Sequence, residues 1–424
     1  MERQAEVSGR LDGNFFVDEF GPLSGRFSAK GEAGIIVLAD EAHQEICRSP
    51  FIRLTADKKS TFSLFNVTIG SRFHWEKTED QTFEGDLFLQ LRKDGTIAAI
   101  NEIPLEDYLK SVISSEMNAT APIEFLKAHA ILSRSWLLAG LDRKKKTKET
   151  TVPPEKTSKE EVIRWYDREN HNLFDVCADD HCQRYQGITK VLSRQAEEAV
   201  RETYGMVITY EDEICDARYS KACGGLTEEF QTAWDDKKLP YLGSISDASV
   251  SYRPITTEKD ASVWIFSDPE VYCNTKDEAL LGKILPDFDH ETKGFFRWRV
   301  EYSREELEKI LREKSGFDFG MIEEITPLRR GPSGRISRLK IVGSKRGMVV
   351  GKELEIRRWL SRSHLYSSAF VVTVDADRFT FHGAGWGHGV GLCQIGAAVM
   401  ATRGFSAEEI LKHYFRGIRI KKIY

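Results

Sequence analysis

Short alternations of hydrophobic and polar positions run through the first hundred residues of the chain. Between Gly13 and about Ile103, apolar runs such as GIIVLA, FSLFNVTI and DLFLQL are separated by Gly and Asp turns. Runs of this length, bounded by turn residues, are typical of β-strands. We therefore predict a β-rich N-terminal accessory region over residues 1–95, followed by a larger domain over residues 96–424.

The hydrophobic period changes to that of an α-helix after Pro104. Apolar residues recur every three or four positions through PLEDYLKSVISSEM, and again through PIEFLKAHAILSRSWLLAGL, which opens at Pro122. This spacing behind a proline predicts two amphipathic helices. The short segment SSEMNATA predicts a loop between them.

Helices and strands are interspersed without a regular alternation in the rest of the sequence. The pattern predicts helices in QAEEAVRETYG, REELEKILREKSG and GKELEIRRWLS, and strands in MVITY, GRISRLKIVG and AFVVTVDADRFTFHG. This order favours the α+β class over a doubly wound sheet. Two segments, at about 143–165 and 245–295, are interpreted as variable insertions. The first is charged and contains prolines, and is expected to be an exposed loop.

Composition and charge narrow the class of protein. The 424 residues are 41% hydrophobic, 11% aromatic and 30% charged, with a formal net charge of -5. These values are typical of a globular chain of two or three domains, and without a long basic stripe nucleic acid is not an expected partner. The first residues lack the regions of a secretory signal, so the chain is either cytoplasmic or begins after a removed signal. No run approaches the ~20 apolar residues that span a bilayer.

A carboxylic acid lies at the predicted junction of the two helices. Glu116 is followed by Met117 and, a few residues later, by Pro122. A carboxyl group shielded by apolar helix faces keeps its proton nearer neutrality, as a general acid for glycosidic cleavage must. A glutamate at a helix end is nevertheless more often a surface cap or an ion-pair partner. Glu116 alone is therefore a weak indication of catalysis.

A candidate metal site lies in HNLFDVCADDHCQRYQG. His171, Cys177 and Cys182 supply one imidazole and two thiols within a short segment, with His181 beside the last. Nitrogen and sulfur are the ligands that zinc prefers. The spacing is looser than a CxxC pair, so a zinc site competes here with a local disulfide and with two unpaired thiols. Seven cysteines in all argue against a complete disulfide framework.

Two glycine-containing segments complete the candidate chemistry. DARYSKACGGLTEEFQTAW has a double glycine that permits a close backbone approach, and its Trp234 offers a flat face for a sugar ring. In GAGWGHGVGLCQIGAA, glycines alternate with side chains, so a strand there would have one bare face, with His388 and Gln394 as its polar groups. Tight glycine packing around a hydrogen-bonded histidine explains this pattern equally well. Cys393 is expected to be a small buried residue rather than a nucleophile.

Taken in order, these segments resemble the SpoIID/LytB family, the peptidoglycan lytic transglycosylases of the sporulation stage II protein D type. The resemblance rests on PLEDYLKSVISSEM with the following LKAHAILSR, on CQRYQG, on CGGLTE and on GWGHGVGLCQIGAAVMATRGFSAEEILKHYFRG. It covers roughly the last three quarters of the chain. Because the four motifs occur in the order typical of the family, a chance match is improbable.

The resemblance implies roles for matching positions. The catalytic glutamate of the family falls on Glu116, and a zinc set of one His and two Cys, present in some members, falls on His171, Cys177 and Cys182. The remaining matches predict substrate binding by Arg134, Gln183, Tyr185, Tyr219, Ser220, Gly224, Gly225, Thr227, Trp386, His388 and Gln394. This chain departs from the family at Lys221, Ala222 and Cys223, where members often have a Ser/Thr-rich run.

The family implies an exported protein of the cell envelope that acts on peptidoglycan glycan strands. The expected reaction is cleavage of the MurNAc–GlcNAc β-1,4 bond to 1,6-anhydro-muramic ends, with Glu116 as acid and base. The main alternative is a binding module, since LytB-like members are regarded as amidase enhancers that assist a cell-wall amidase. A third alternative is a zinc hydrolase that uses a metal-bound water at His171, Cys177 and Cys182.

Overall fold

The alternating pattern of the N-terminal region forms a single nine-stranded antiparallel sheet. Its strand order is β4-β3-β2-β1-β5-β8-β9, and β6 lies between β1 and β7. The strands are β1 (Glu6–Val17), β2 (Phe20–Glu32), β3 (Ile35–Asp40), β4 (Glu45–Ser49), β5 (Phe51–Ala56), β6 (Thr61–Ile69), β7 (Lys77–Glu84), β8 (Asp86–Leu91) and β9 (Ile97–Glu102). The computed structural model describes the whole chain except residues 2, 18–19, 71–75, 147–155, 167–170, 180, 192 and 291–293.

Ten α-helices are assigned within these described ranges, and the two expected after the N-terminal sheet come first. They are α1 (Leu105–Glu116), α2 (Ile123–Lys146), α3 (Arg194–Glu202), α4 (Phe230–Ala233), α5 (Glu258–Phe266), α6 (Glu278–Ile284), α7 (Arg304–Ser315), α8 (Glu353–Trp359), α9 (Gln394–Thr402) and α10 (Ala407–Tyr414). None of these helices is both long and apolar enough to cross a membrane.

The remaining strands form four smaller sheets. Their orders are β10-β11-β18-β17-β16, β13-β12-β22, β14-β21 and β15-β20-β19. The strands are β10 (Lys156–Thr157), β11 (Glu161–Ile163), β12 (Met206–Tyr210), β13 (Glu213–Ile214), β14 (Tyr219–Ser220), β15 (Arg297–Ser303), β16 (Ile322–Arg330), β17 (Ile336–Gly343), β18 (Gly347–Gly351), β19 (Phe370–Asp375), β20 (Arg378–Ala384), β21 (Leu392–Cys393) and β22 (Arg419–Lys422). The mixture of separate sheets and helices confirms the α+β class.

The chain divides into two compact units. The first comprises Met1–Thr120 with His171–Glu202, and the second comprises Ala121–Asn170 with Thr203–Tyr424. α1 therefore belongs with the N-terminal sheet, whereas α2 belongs with the second unit. The boundary predicted between residues 95 and 96 separates an accessory region from a larger domain, and it stays a prediction. The two compact units are divided at other positions.

Helix α1 explains how the sequence positions Glu116. Glu106 and Asp107 in its first turn suit the positive end of the helix dipole, and Leu109 and Ile113 bury one face. The helix ends at Glu116, after which Met117 is extended. Glu116 is thus the last residue of the helix rather than part of the predicted loop.

Part of the charged insertion predicted to be an exposed loop, residues 147–155, lies outside the described residues, and the part that follows is not all exposed loop. β11 pairs in parallel with β18, and Val162 and Ile163 are 4% and 3% exposed. These two apolar residues, at the end of a charged run, join a sheet in which β10 is close in sequence but β16, β17 and β18 come from far along the chain. The second variable segment contains α5 and α6.

Candidate functional site

Glu116 is held in place within the first unit by a backbone hydrogen bond. The N–H of Arg184 donates to its Oε1 at 2.9 Å, and the residue is 9% exposed. The C-terminal end of a helix disfavours negative charge, so helix stability does not account for a glutamate here. The contact instead ties the end of α1 to the CQRYQG segment.

Two tyrosines and a glutamine surround this contact. Tyr108 and Tyr185 stack with ring centroids 5.1 Å apart, and the Tyr108 hydroxyl donates to Gln183 Oε1 at 3.2 Å. Burial, followed by the negative charges of Cys182 and Glu116, raises the pKa of Tyr108 well above its usual range. The structure therefore brings the predicted residues Glu116, Gln183 and Tyr185 together.

Gln183 has an unusual hydrogen-bond environment. Its side chain is fully buried, and its Nε2 has no hydrogen-bond partner among the residues that the structure describes. An unsatisfied buried donor costs about 1–3 kcal/mol, so Gln183 Nε2 would gain from a hydrogen-bond partner brought by a bound molecule. Gln183 immediately precedes Arg184, which binds Glu116.

The predicted metal residues also come together in the first unit, with His181 as a fourth member. The ligand atoms of His171, Cys177, His181 and Cys182 all lie within 4.8 Å of one another. His171 Nε2 is 3.3 Å from Cys182 Sγ, and His181 Nδ1 is 3.4 Å from Cys182 Sγ and 3.8 Å from Cys177 Sγ. The structure thus supplies four donors where the motif predicted three.

These distances match the edges of a zinc tetrahedron. Zn–S and Zn–N bonds of about 2.3 and 2.1 Å at the tetrahedral angle separate sulfur from nitrogen by about 3.6 Å. The thiol of Cys182 and burial raise the pKa of Cys177 to about 11, so a bound cation would have to displace its proton. Four protein donors are typical of a structural zinc site and leave no position for the water that a zinc hydrolase needs.

Arg134 is buried inside the second unit. It is 0% exposed, and its Nη1 donates to the carbonyl of Met206 at 2.9 Å, which joins α2 to β12. This contact accounts for an arginine in the second helix without a ligand. Its assignment to substrate binding stays a prediction.

Gln394 forms a buried pair with a residue that the sequence did not single out. Its Nε2 lies 3.0 Å from Nε2 of His129, whose Nδ1 lies 3.1 Å from the Ser133 hydroxyl. The Tyr219 ring meets the His129 ring edge-on at 4.8 Å. Gln394 and Tyr219, both predicted to bind substrate, thus share one environment around His129.

The double glycine is required by packing. Gly224 and Gly225 have φ angles of +82° and +102°, and a Cβ on Gly225 would lie 2.7 Å from the Trp264 ring. Thr227 is fully buried, and its hydroxyl accepts from Ile245 N at 2.9 Å. Ser220 is 6% exposed, and its hydroxyl has no hydrogen-bond partner in the described parts of the chain.

The glycine run is not a strand. Its four alternating glycines, Gly385, Gly387, Gly389 and Gly391, have φ angles between +74° and +87°. A strand needs negative φ at every position, so the interpretation of this segment as a strand is wrong. The bare backbone is covered by the protein itself, because a Cβ on Gly389 would lie 2.3 Å from Cζ of Arg335.

Arg335 explains this conformation. Its guanidinium is fully buried and donates to the carbonyls of Gly387 and Cys223, each at 3.0 Å. A guanidinium presents five donors in a fixed plane and therefore needs several acceptors at close range. The glycines allow the backbone to curl around it.

Trp386 and His388 remain half-buried within this run. Trp386 packs between Tyr366 and Phe295, with ring centroids at 4.3 and 4.8 Å. Burial and three nearby arginines hold the pKa of His388 well below its usual range, and its Nδ1 accepts from Val390 N at 3.0 Å. His388 is therefore a neutral ring that packs edge-on against Trp234. Trp234 itself is 8% exposed and leaves little of its face open.

The chain matches two family models and several known proteins. Residues 93–210 match the family model described as stage II sporulation protein, SpoIID, and residues 228–391 match a domain of unknown function, DUF8618. Stage II sporulation protein D of Bacillus amyloliquefaciens is 25% identical over 326 residues, and that of Bacillus subtilis is 24% identical over 326 residues. Each alignment covers 76% of both proteins.

A further relative is the amidase enhancer of Bacillus subtilis. It is 24% identical over 324 residues, which are 73% of this chain and 39% of that protein. The names of these relatives are the two that the resemblance predicts. Residues 93–210 of the chain thus match the SpoIID model, and the chain as a whole is similar to stage II sporulation protein D and to an amidase enhancer.

Proposed function

We propose that this protein is a peptidoglycan lytic transglycosylase that cleaves the MurNAc–GlcNAc β-1,4 bond, with Glu116 as general acid and base. The observation that carries the proposal is the placement of Glu116. Its carboxyl group is nearly buried and is oriented by the N–H of Arg184, the residue that follows Gln183. The SpoIID domain and the names of the relatives support the coarser conclusion of a role related to the cell wall.

One carboxyl group is sufficient for this reaction. Protonated Glu116 gives its proton to the glycosidic oxygen as the bond from that oxygen to C1 of MurNAc breaks. The resulting carboxylate then takes the proton of the C6 hydroxyl, whose oxygen attacks C1 and closes the 1,6-anhydro ring. Because the nucleophile belongs to the substrate, the second carboxylate of most glycosidases is not needed. General acid–base catalysis of this kind contributes about 10² to 10⁴ in rate.

The residues around Glu116 would orient its carboxyl group and contact the substrate. Arg184 N–H fixes the carboxyl orientation, and Gln183 Nε2 is a donor for a sugar oxygen. The other predicted substrate residues stay predictions.

A zinc ion at His171, Cys177, His181 and Cys182 would act on structure rather than on chemistry. The ion would supply the cross-link that closes the segment between His171 and Cys182. Cys182 is followed by Gln183 and then by Arg184, so this segment would set the position of the N–H that binds Glu116. Its four donors favour this interpretation over a zinc hydrolase.

A binding role is the second candidate, favoured by the amidase enhancer among the relatives. In this role the chain would bind glycan strands at the cell envelope and assist a wall amidase without cleaving glycan. Lys221, Ala222 and Cys223, in place of a hydroxyl-rich run, agree with altered substrate contacts.

The two candidates are distinguished by the products formed from purified glycan strands. Wild-type protein is expected to release 1,6-anhydro-muramic ends, which mass spectrometry identifies, and Glu116→Gln to reduce their release by at least 10². Glu198→Gln, at an exposed position on α3 in the same unit, should keep wild-type activity. Equal release by wild type and Glu116→Gln would refute the mechanism. Glycan binding without cleavage by wild type would favour the enhancer role.

A further inference from the structure

Four buried side chains with metal-binding atoms converge in the second unit, apart from the candidate zinc residues of the first. They are Cys223, Asp247, Cys273 and Cys393, and their ligand atoms all lie within 4.8 Å of one another. Each of the four is at most 2% exposed. Two come from the segments that flank residues 228–391, and two come from within that range.

We propose that Cys223, Asp247, Cys273 and Cys393 bind a single zinc ion that holds the second unit together. Three thiolates and one carboxylate form a sulfur-rich donor set, which selects zinc over the harder ions magnesium and calcium. All four positions of a tetrahedron are filled by protein atoms, which is typical of a structural zinc site.

The spacing of the donors suits one ion. Cys223 Sγ lies 3.8 Å from Cys273 Sγ. Two thiolates bound to one zinc at about 2.3 Å are separated by about 3.8 Å at the tetrahedral angle. A disulfide instead requires a separation of about 2.05 Å, and all three cysteines have free thiols in the structure.

Neighbouring groups orient these donors as they do around bound metals. Cys393 Sγ accepts from Cys223 N at 3.2 Å, and Cys223 Sγ accepts from Gly225 N at 3.4 Å. Asp247 Oδ2 accepts from Cys273 N at 2.8 Å, and its Oδ1 accepts from the Tyr414 hydroxyl. Outer hydrogen bonds of this kind fix metal ligands and stabilise their negative charge.

The burial of the four side chains favours a bound cation. Three thiolates and a carboxylate together in a protein interior are costly unless a positive charge compensates them. A divalent ion would supply that charge in place of the protons of these groups.

The proposed ion would stabilise the backbone on both sides of the glycine run. Ala222, next to Cys223, exchanges backbone hydrogen bonds with Trp386, and Cys393 directly precedes α9. Gly396 lets α9 approach the site, because a Cβ there would lie 2.2 Å from Asp247 Oδ1. Cys223 would thus connect this backbone to the proposed metal site.

The proposal does not depend on transglycosylase activity and is tested by metal content. The full-length chain, purified under reducing conditions from zinc-supplemented medium, is measured by elemental mass spectrometry together with a Cys177→Ser/Cys182→Ser variant. This variant lacks the two thiols of the first unit, so one zinc per chain should remain. Adding Cys223→Ser and Cys273→Ser should remove that zinc, whereas adding Cys215→Ser, a buried thiol elsewhere in the same unit, should not.

A second measurement avoids reliance on variants that fail to fold. Wild-type chain reloaded with cobalt(II) should show the intense thiolate-to-metal absorption and the visible bands of tetrahedral coordination, and Cys223→Ser/Cys273→Ser should lose the part contributed by the second unit. The proposal is overturned if the Cys177→Ser/Cys182→Ser variant folds without zinc, or if wild type carries only the zinc removed by those two substitutions. A Cys223–Cys273 disulfide in a non-reducing peptide map of freshly purified protein would overturn it as well.

Discussion

Gln394 Nε2 lies 3.0 Å from Nε2 of His129 in the interior of the second unit. An amide NH₂ can only donate, so His129 Nε2 accepts and its proton resides on Nδ1, from which it is donated to the Ser133 hydroxyl. Burial, reinforced by the charge of Lys221, lowers the pKa of His129 to about 3. The structure thus depends on a neutral imidazole at this position.

This dependence predicts a loss of stability in acid. An unfolded chain protonates His129 below about 6.5, whereas the folded chain keeps it neutral until about 3. The unfolded state therefore binds more protons in this window, and the contribution of His129 to stability is complete above pH 6.5 and falls as the pH falls towards 3. The expected slope is about 1.4 kcal/mol per pH unit.

Denaturant unfolding of wild type and His129→Gln between pH 4 and 7.5 measures this contribution. The variant should show the shallower pH dependence, whatever its absolute stability. His43→Gln, at an exposed position, should keep the wild-type dependence. Parallel curves for wild type and His129→Gln would contradict a neutral buried imidazole.

Arg134 provides a test of structural against ligand-binding roles. Arg134→Lys loses the planar guanidinium that reaches Met206 O, and a hydrogen bond from a charged group contributes about 1.5–3 kcal/mol. We expect the free energy of unfolding to fall by that amount, with glycan binding unchanged at temperatures where the variant is folded. Unchanged stability with lost glycan binding would assign Arg134 to the substrate instead.

Local periodicity predicted the parts of this fold that depend on local sequence. α1 and α7 occupy the predicted segments because each carries an apolar face at helical spacing and a recognisable start or end. α2 also lies where it was predicted, but it is buried at every position from Ala128 to Leu137 rather than on one face. β11 was missed because it has only three residues and pairs with the two-residue strand β10 and with β18, far along the chain. Pairing partners at such separation leave no local pattern.

The candidate site, like the fold, was predictable only where a local sequence pattern reveals it. Glu116, Gln183 and Tyr185 were found through a motif, and the structure places them together. Water, His181 and substrate were all options for the fourth position beside His171, Cys177 and Cys182, and the folded segment brings His181 within reach of the other three. The cluster around Asp247 was missed because its members are far apart in the sequence. Nothing in the sequence distinguishes them from buried structural residues.

His181 offers a direct test of how the first cluster binds metal. If all four donors bind zinc, His181→Ala should weaken zinc binding about 10-fold or more, because a water must replace an imidazole and the loop loses one attachment. Competition with a chromogenic chelator measures this affinity. His290→Ala, whose ring lies outside both clusters, should retain wild-type affinity. Unchanged zinc affinity in His181→Ala would indicate three protein ligands and an open position, and would revive the zinc hydrolase hypothesis.

The glycines around Arg335 predict a difference between two otherwise similar substitutions. Gly389 and Gly404 have φ angles of +74° and +88°, but a Cβ would lie 2.3 Å from Arg335 Cζ at Gly389 and would meet open space at Gly404. An L-residue in this region costs about 1–2 kcal/mol at either position. Overpacking adds about 1–3 kcal/mol where the neighbour cannot move, and Arg335 is held by the carbonyls of Gly387 and Cys223.

Gly389→Ala should therefore destabilise the protein by about 2 kcal/mol more than Gly404→Ala, as measured by denaturant unfolding at neutral pH. Equal losses would mean that the run relaxes around the added methyl group and that Arg335 does not require its glycines. A larger loss confined to Gly389→Ala would show that the alternating glycines serve a buried guanidinium. Packing in the protein interior would then explain the glycines of the run, and within the run only the half-buried Trp386 and His388 would be able to contact a glycan.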